Sequence, residues 1–371
     1  MVVLIAGDFC PQARVIERFE ENDFSSVLDE VKEVTAKVDY SIVNFECPVT
    51  KGIEEPIKKQ GPNLHCTEKG IEAVKWAGFD CVTLANNHFL DFGDKGVKNT
   101  LDVCKKNNLD TVGGGLNLAE ASKILYKESQ GARLAVINCC EHEFSIATTK
   151  TAGSNPLNPI QQYYAIKEAK TKADYVLVIV HGGHEHYQLP SPRMQETYRF
   201  FIDAGADAVV NHHQHCYSGY EVYHEKPIFY GIGNFCFDGN RSKRDIWYEG
   251  YMVEIEFGKN IKYEITPYRQ CCEEAKVSIL KDCKYEEKIS ELNQIIVTPE
   301  RLEEETQKYY KSCAEDYSKI IEPCNNRYYL ACKRRGWLPS FITERRKLSA
   351  ANFILCESHR DKLIYWLKSL F

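Results

Sequence analysis

None of the chain's sixteen cysteines stands in C-x-x-C spacing, which removes the zinc-ribbon class. No apolar run approaches the ~20 residues that a membrane-spanning helix needs. There is no basic excess: 47 Lys and Arg face 53 Asp and Glu, a net charge of −6. That balance excludes the usual nucleic-acid binder. The opening stretch, Met1-Val-Val-Leu-Ile-Ala-Gly-Asp8, has no basic segment, and its apolar run is too short for a signal peptide. Internal repeats and low-complexity segments are also missing. The cysteines are scattered, often in apolar runs such as Val136-Ile-Asn-Cys-Cys140. They read as small buried hydrophobes in a reducing compartment. The expectation is a cytoplasmic chain with no membrane span and no nucleic-acid partner.

What the sequence has is histidine in one place. Six of its eleven histidines fall between 181 and 215. The apolar run Tyr175-Val-Leu-Val-Ile-Val180 reads as a buried strand and stops in His181-Gly-Gly-His-Glu-His186. Ala208-Val-Val210 likewise ends in Asn211-His-His-Gln-His215. Neutral imidazole is the commonest metal ligand among side chains. Two strand ends that both deliver histidines suggest a metal centre at one edge of a sheet.

The rest of the chain supplies that sheet. Strands are expected at 2–6, 41–46 and 80–84, and a hairpin at 123–128 and 133–139. Helices are expected around 12–37, from the capping Thr67 to Trp76, at 96–107, 158–172 and 193–204. A short strand should end at Gly113-Gly-Gly115. Alternating strands and helices are the pattern of an α/β sheet. In such sheets ligands bind at the carboxyl ends of the strands. Asp8, Glu46, Asn87, His88, His181, His213 and His215 all fall at such ends. Residues 219–236 and 248–268 alternate like closing antiparallel strands. Strand signals disappear after about 275, where an acidic helical segment (300–317), a basic one (327–347) and an amphipathic tail (353–371) follow. This gives a main domain over 1–270 and a mostly helical extension over 275–371.

Taken singly, each cluster has an ordinary alternative. Gly7-Asp8 and Asn44-x-Glu46 also read as polar strand ends or caps. Asn86-Asn-His88 also reads as an Asx turn. His213-x-His215 has chelating spacing if both side chains share a face, yet such a pair also occurs on plain surfaces. His181 also reads as a core histidine, and His184, His186 and His212 as side chains that back the ligands or as mere surface. Together they form the donor set that a pair of divalent ions requires, with a shared carboxylate and several nitrogens and oxygens.

The series Gly7-Asp8, Asn44-x-Glu46-x-Pro48, Leu84-Ala-Asn-Asn-His88, Asp91-x-Gly93-x-x-Gly96, His181-Gly-Gly-x-Glu185, Gly205-Ala-Asp-Ala-Val-Val-x-His212-His-x-His215 and Gly231-Ile-Gly-Asn-Phe235 resembles the CapA family. These are the poly-γ-glutamate or capsule synthesis proteins. The resemblance covers about residues 1–270. It implies a fold like that of calcineurin-like metallophosphatases, a layered β-sandwich flanked by helices, with two divalent metal ions (Mn, Zn or Fe). By the same resemblance Asp8 and His215 bind the first ion, Asn87, His181 and His213 the second, and Glu46 bridges them. His88 is then a general acid at the leaving group, oriented by Asp91.

Two positions depart from the metallophosphatase pattern. Cys10 stands where a histidine is common; it reads either as a thiolate ligand favouring softer ions or as an inert buried thiol. The bridge is a glutamate rather than an aspartate. The resemblance implies a metal-dependent hydrolase of phosphoesters, tied to capsule, exopolysaccharide or poly-γ-glutamate metabolism. It leaves open an amide hydrolase or transferase on a γ-glutamyl polymer, and a non-catalytic polymer-binding subunit of a synthesis complex. The substrate class is a phosphorylated or acidic small molecule or polymer, and capsule-synthesis proteins are the expected partners. Arg327, Lys333, Arg334, Arg335, Arg345, Arg346 and Lys347 offer a basic surface for such a partner, or only a solvated helix face.

Overall fold

The computed structural model describes residues 1–239, 245–281, 284–321 and 326–338, with Thr343, Lys347, Ala350 and Ile354 beyond them. The amphipathic tail expected at 353–371 therefore lies, except for Ile354, outside the described residues, as do Arg345 and Arg346 of the basic segment. The chain divides into two compact units, Met1–Glu303 and Glu304–Phe371.

The described strands of the first unit are, in chain order, β1 (Val2–Phe9), β2 (Tyr40–Phe45), β3 (Cys81–Thr83), β4 (Asp110–Val112), β5 (Gly114–Gly115), β6 (Leu125–Ser129), β7 (Ala132–Cys140) and β8 (Gly153–Ser154). There follow β9 (Tyr175–His181), β10 (Ala208–His212), β11 (Tyr220–Tyr223), β12 (Lys226–Phe229), β13 (Asn234–Cys236), β14 (Glu249–Glu256), β15 (Lys262–Gln270) and β16 (Val277–Ile279). One sheet has the order β16-β15-β14-β1-β2-β3-β4, with β13 also paired to β1, and the other β11-β12-β10-β9-β7-β6. Strands β1 to β4 are parallel to one another, as are β7, β9, β10 and β12.

The two sheets stack because their strands are apolar on both faces. Successive side chains of a strand point to opposite faces. Val3, Ile5 and Ile42 of the first sheet meet Val136, Leu177, Ile179 and Val210 of the second in one buried cluster. Leu4, Ala6 and Val43 face the other way, against helices Ala13–Glu20, Ser25–Thr35, Glu68–Trp76 and Gly93–Lys106. On the far side of the second sheet Val176, Val178 and Val209 pack under helices Pro159–Lys172 and Pro192–Ala204. The result is the layered β-sandwich with flanking helices expected from the sequence. The helices start where local chemistry says they should. Thr67 and Ser191 accept hydrogen bonds from Lys69 N and Met194 N, and Pro159 and Pro192 sit in the first turn.

Two expectations are corrected. Strand signals do not stop at 275: β16 pairs with β15. The first unit also runs past the expected boundary near 270–275. Helix Lys284–Ile296 belongs to it, because Tyr285 and Ile289 join the core between the sheets and Ile296 joins the outer core. In the second unit, helix Arg327–Arg334 has no buried residue, Arg334 and Arg335 are exposed, and the Arg335 guanidinium lies 5.3 Å over the Trp337 ring. Among the described residues no helix is long and apolar enough to cross a membrane.

Candidate metal centre

The strand register carries the candidate residues to one place. Asp8 is paired with Asn44 across β1 and β2, and His181 with His212 across β9 and β10. The β1–β2 register slips between Ala6 and Asp8. Such bulges re-aim a side chain next to active sites. Gly7 permits it: a Cβ there would lie 2.0 Å from the Gly233 carbonyl oxygen. This close approach brings β13, and with it Asn234, beside Asp8.

Asp8 and Glu46 are both fully buried. Asp8 Oδ1 accepts from Asn44 Nδ2 at 2.7 Å, and Oδ2 accepts from the His213 amide at 3.2 Å. His212 Nδ1 is 3.3 Å from Oδ1 and His215 Nδ1 3.6 Å from Oδ2. Burial alone would raise the Asp8 carboxyl, but its contacts with His212 and His215 outweigh this and hold it well below the usual range. Glu46 is the opposite case. Among the described residues neither of its side-chain oxygens has a hydrogen-bond partner. Burial first, and the Asp8 charge second, push its carboxyl well above the usual range.

Around these acids the imidazoles converge. His181 Nε2 is 3.6 Å from Glu46 Oε1, 3.1 Å from Asn87 Oδ1 and 3.1 Å from His213 Nδ1. His215 Nε2 is 3.7 Å from Glu46 Oε1, and its Nδ1 is 2.9 Å from Asn234 Oδ1. Burial, then the neighbouring His213, pushes His181 down; burial, then His215, pushes His213 down to about 4. Both are therefore neutral near pH 7, with lone pairs available. His215 goes up despite burial, through its contact with Asp8. His213 and His215 have φ of 87° and 53°. Left-handed backbone is uncommon for side chains of this size and clusters at functional sites. Asn211 holds that turn, its Nδ2 lying 2.9 Å from Gly182 O, 2.8 Å from His212 O and 2.9 Å from Tyr230 O.

The donor set fits divalent cations. Glu46, His181 and His213 form one group whose donor atoms all lie within 4.8 Å of one another, and Asp8, Glu46 and His215 form another. Glu46 belongs to both. An unpaired carboxylate with no access to water is strongly unfavourable unless a cation sits beside it. Cys10 is in neither group; it is fully buried and its Sγ lies 3.5 Å from Gln12 Nε2.

A cavity of about 260 Å³ reaches this cluster, lined by Asn87, Glu141, His142, Glu143, His181, Gly183 and His213. His88 and Asp91 are buried nearby, with His88 Nδ1 2.6 Å from Asp91 Oδ2. Burial pushes His88 down. All eight residues singled out in the sequence thus fall into one buried assembly. Several neighbours were missed. Asn44 and Asn234 stood within the quoted motifs without a role. His212, for which the sequence left open either backing a ligand or plain surface, is buried behind Asp8. Glu141 and Glu143 line the cavity, and no pattern marked them. His184, Glu185 and His186 border the site rather than entering either donor group; the His186 ring lies 5.6 Å from that of Trp247.

The family described as bacterial capsule synthesis protein PGA_cap matches residues 2–239, which contain the whole donor set. The chain belongs to this family. The PGA_cap match ends short of the resemblance over 1–270 drawn from the sequence. Among relatives, the chain is 35% identical over 246 residues to the capsule biosynthesis protein CapA of Bacillus anthracis, covering 64% of this chain and 60% of that protein. It is 34% identical over 269 residues to the PGA biosynthesis protein CapA of Bacillus subtilis (strain 168), covering 70% of this chain and 69% of that one. The chain thus spans about three fifths of the length of the first relative. A solved structure of a hypothetical protein from Thermus thermophilus superposes with TM-score 0.48 at 17% identity, over 75% of this chain and 99% of that one.

Proposed function

We propose that this PGA_cap protein is a metal-dependent hydrolase whose centre holds two divalent cations and acts on a phosphoester in capsule or poly-γ-glutamate metabolism. The observation that carries this reading is Glu46: a fully buried carboxylate with neither oxygen hydrogen-bonded among the described residues, shared between two donor groups. Asp8, His215 and Glu46 would hold one cation, and Glu46, His181 and His213 the other, with Asn87 beside His181 as a further donor. When bound, such a pair supplies Lewis acidity and makes water a nucleophile at neutral pH.

The chain's own residues do the remaining work. Asn44 and the His213 amide fix the two oxygens of Asp8. Asn234 orients His215 through Nδ1, as outer partners of ligating imidazoles commonly do. His88, with Nδ1 engaged by Asp91, keeps Nε2 for the proton that a leaving oxygen takes up. Metal analysis of protein purified without added metal, together with turnover of an aryl phosphate, tests the proposal. Turnover that survives both chelation and Asn87→Ala would overturn it.

A second reading draws on the relatives' names. One is called a PGA biosynthesis protein, and a γ-glutamyl polymer is joined by amide bonds. The same centre would then cleave or transfer at an amide, with the acidic polymer as substrate and capsule-synthesis proteins as partners. A substrate panel holding both ester and γ-glutamyl amide bonds separates the two.

A further inference from the structure

Lys59 lies in the segment between β2 and helix Glu68–Trp76, where its neighbours Lys58 and Gln60 are exposed. Its side chain is only 2% exposed. The ammonium stands 2.5 Å from Asp91 Oδ1 and 3.1 Å from His88 Nδ1, and 5.1 Å from the centre of the Phe144 ring. The segment that delivers it is stapled to Asp91. Ile57 N donates to the Asp91 carbonyl at 2.9 Å, and Asn63 Nδ2 to the same carbonyl at 3.0 Å. Leu64 N donates to Asp91 Oδ2 at 2.7 Å. A flexible side chain that water normally solvates is enclosed against the His88–Asp91 pair, in a segment held by three hydrogen bonds to a single residue.

We propose that Lys59 is a positioning residue for the hydrolysis proposed above, on which this inference rests. An ammonium has three donors and no acceptor. The ring nitrogen Nδ1 of His88 therefore faces a donor, Lys59, and an acceptor, Asp91 Oδ2, at once. The shorter contact, 2.6 Å, is the one with the carboxylate, so Nδ1 carries the proton and gives it to Asp91. Lys59 stands against the other oxygen of Asp91, the opposite charge that a carboxylate enclosed away from water needs beside it. Oδ2 is left for His88 and the Leu64 amide alone. The imidazole is thereby fixed through Nδ1. Lys59 is too enclosed to reach a substrate, so its effect passes through Asp91 and His88.

The test is a cycle of Lys59→Met, His88→Ala and the double variant in the full chain, with kcat and KM for an aryl phosphate and the ¹⁵N spectrum of the imidazoles. Lys59→Met lowers kcat by about 10–100-fold, the usual loss for an outer partner of a site residue, with KM nearly unchanged. In the His88→Ala background the same substitution has no further effect, because both act through one unit. Equal losses in both backgrounds would overturn the role of Lys59 and leave the hydrolase reading intact. Undiminished turnover in His88→Ala would overturn that reading of His88 and the inference with it. The wild-type spectrum gives a check that needs no variant to fold. An Nδ1 of His88 that carries a proton, whether or not Nε2 carries one as well, supports the inference, and an Nδ1 without a proton overturns it.

Discussion

His213 Nδ1 stands 3.1 Å from His181 Nε2, at the ends of neighbouring parallel strands. Both rings are pushed toward the neutral form, first by burial. Two lone pairs that face each other repel unless a proton or a cation lies between them. Bond lengths of about 2.0–2.1 Å from imidazole to a transition metal allow both nitrogens to reach one ion. For the proposed two-ion centre, His213→Ala is expected to lower the bound divalent metal by about one ion per chain, because it removes one of the nitrogen donors of one group. Mass-spectrometric metal content per chain measures this. Unchanged content would mean that the two rings face each other for another reason.

Glu46 gives a second prediction, on stability. In metal-free protein its buried, unpaired carboxyl costs folding free energy. Glu46→Gln removes the ionisable group and keeps the shape. The metal-free variant should melt higher than metal-free wild type. The stabilisation gained on adding metal should shrink, because a ligand that binds only the folded state stabilises in proportion to its affinity. Melting curves of both proteins with and without divalent metal decide it. A variant that melts lower without metal would contradict the account of Glu46.

Much of this centre is legible in the sequence, because its candidate ligands end strands that announce themselves. The run Tyr175–Val180 needs burial on both faces, and the polar residues after it must fall at the sheet edge. Asp8, Asn87 and His213 follow the same logic. Lys59 escaped for a physical reason. Its burial depends on a long loop folding back onto Asp91, and a lone lysine among exposed residues carries no periodicity. The β1 bulge at Gly7 was invisible too, since a slip in register is a relation between two strands. β16 is only three residues long and left no alternation to detect.

The unit boundary changes how the C-terminal region is to be removed. A cut at 275 strips Tyr285, Ile289 and Ile296 from the core. Loss of three such side chains costs several kcal/mol at about 2–5 each for the aliphatic ones. A cut after Glu303 follows the unit boundary. The chain ending at 303 should fold and keep its aryl phosphate turnover, while the chain ending at 275 should not fold. If the basic helix Arg327–Arg334 serves as a docking surface, the 303 chain also loses binding to poly-γ-glutamate. Turnover assays and sedimentation with the polymer read the two effects separately.

Glu254 and Glu264 face each other across β14 and β15. Burial, then the Glu264 charge, raises the Glu254 carboxyl above its usual 4.5. A carboxyl with a raised folded pKa contributes stability that is fully present below the unfolded value. That contribution is lost as pH rises through the folded one. The pair should therefore destabilise the protein near neutral pH and not at pH 4. Glu264→Lys replaces a like-charged cross-strand pair by an opposite one, with a gain of about 0.2–1 kcal/mol. Urea unfolding at pH 7 should show the gain, and it should fade toward pH 4 as Glu254 protonates.

Asn211 ties stability to the site. Its Oδ1 accepts from the Tyr198 hydroxyl at 2.6 Å, and its amide group holds the carbonyls of Gly182 and Tyr230. The loops after β9 and β10 are thereby fixed to each other, one following His181 and the other carrying His213 and His215. Tyr198→Phe leaves Oδ1 buried and unpaired, at a cost of about 1–3 kcal/mol. Asn211→Ala goes further and frees the left-handed turn that presents His213 and His215. It should weaken metal affinity by about 10–100-fold, as losing an outer partner of ligating residues does. Titration with a divalent metal, alongside urea unfolding, measures both terms. Asn211→Ala that loses stability but keeps wild-type affinity would show that the ligands are held by the strands alone.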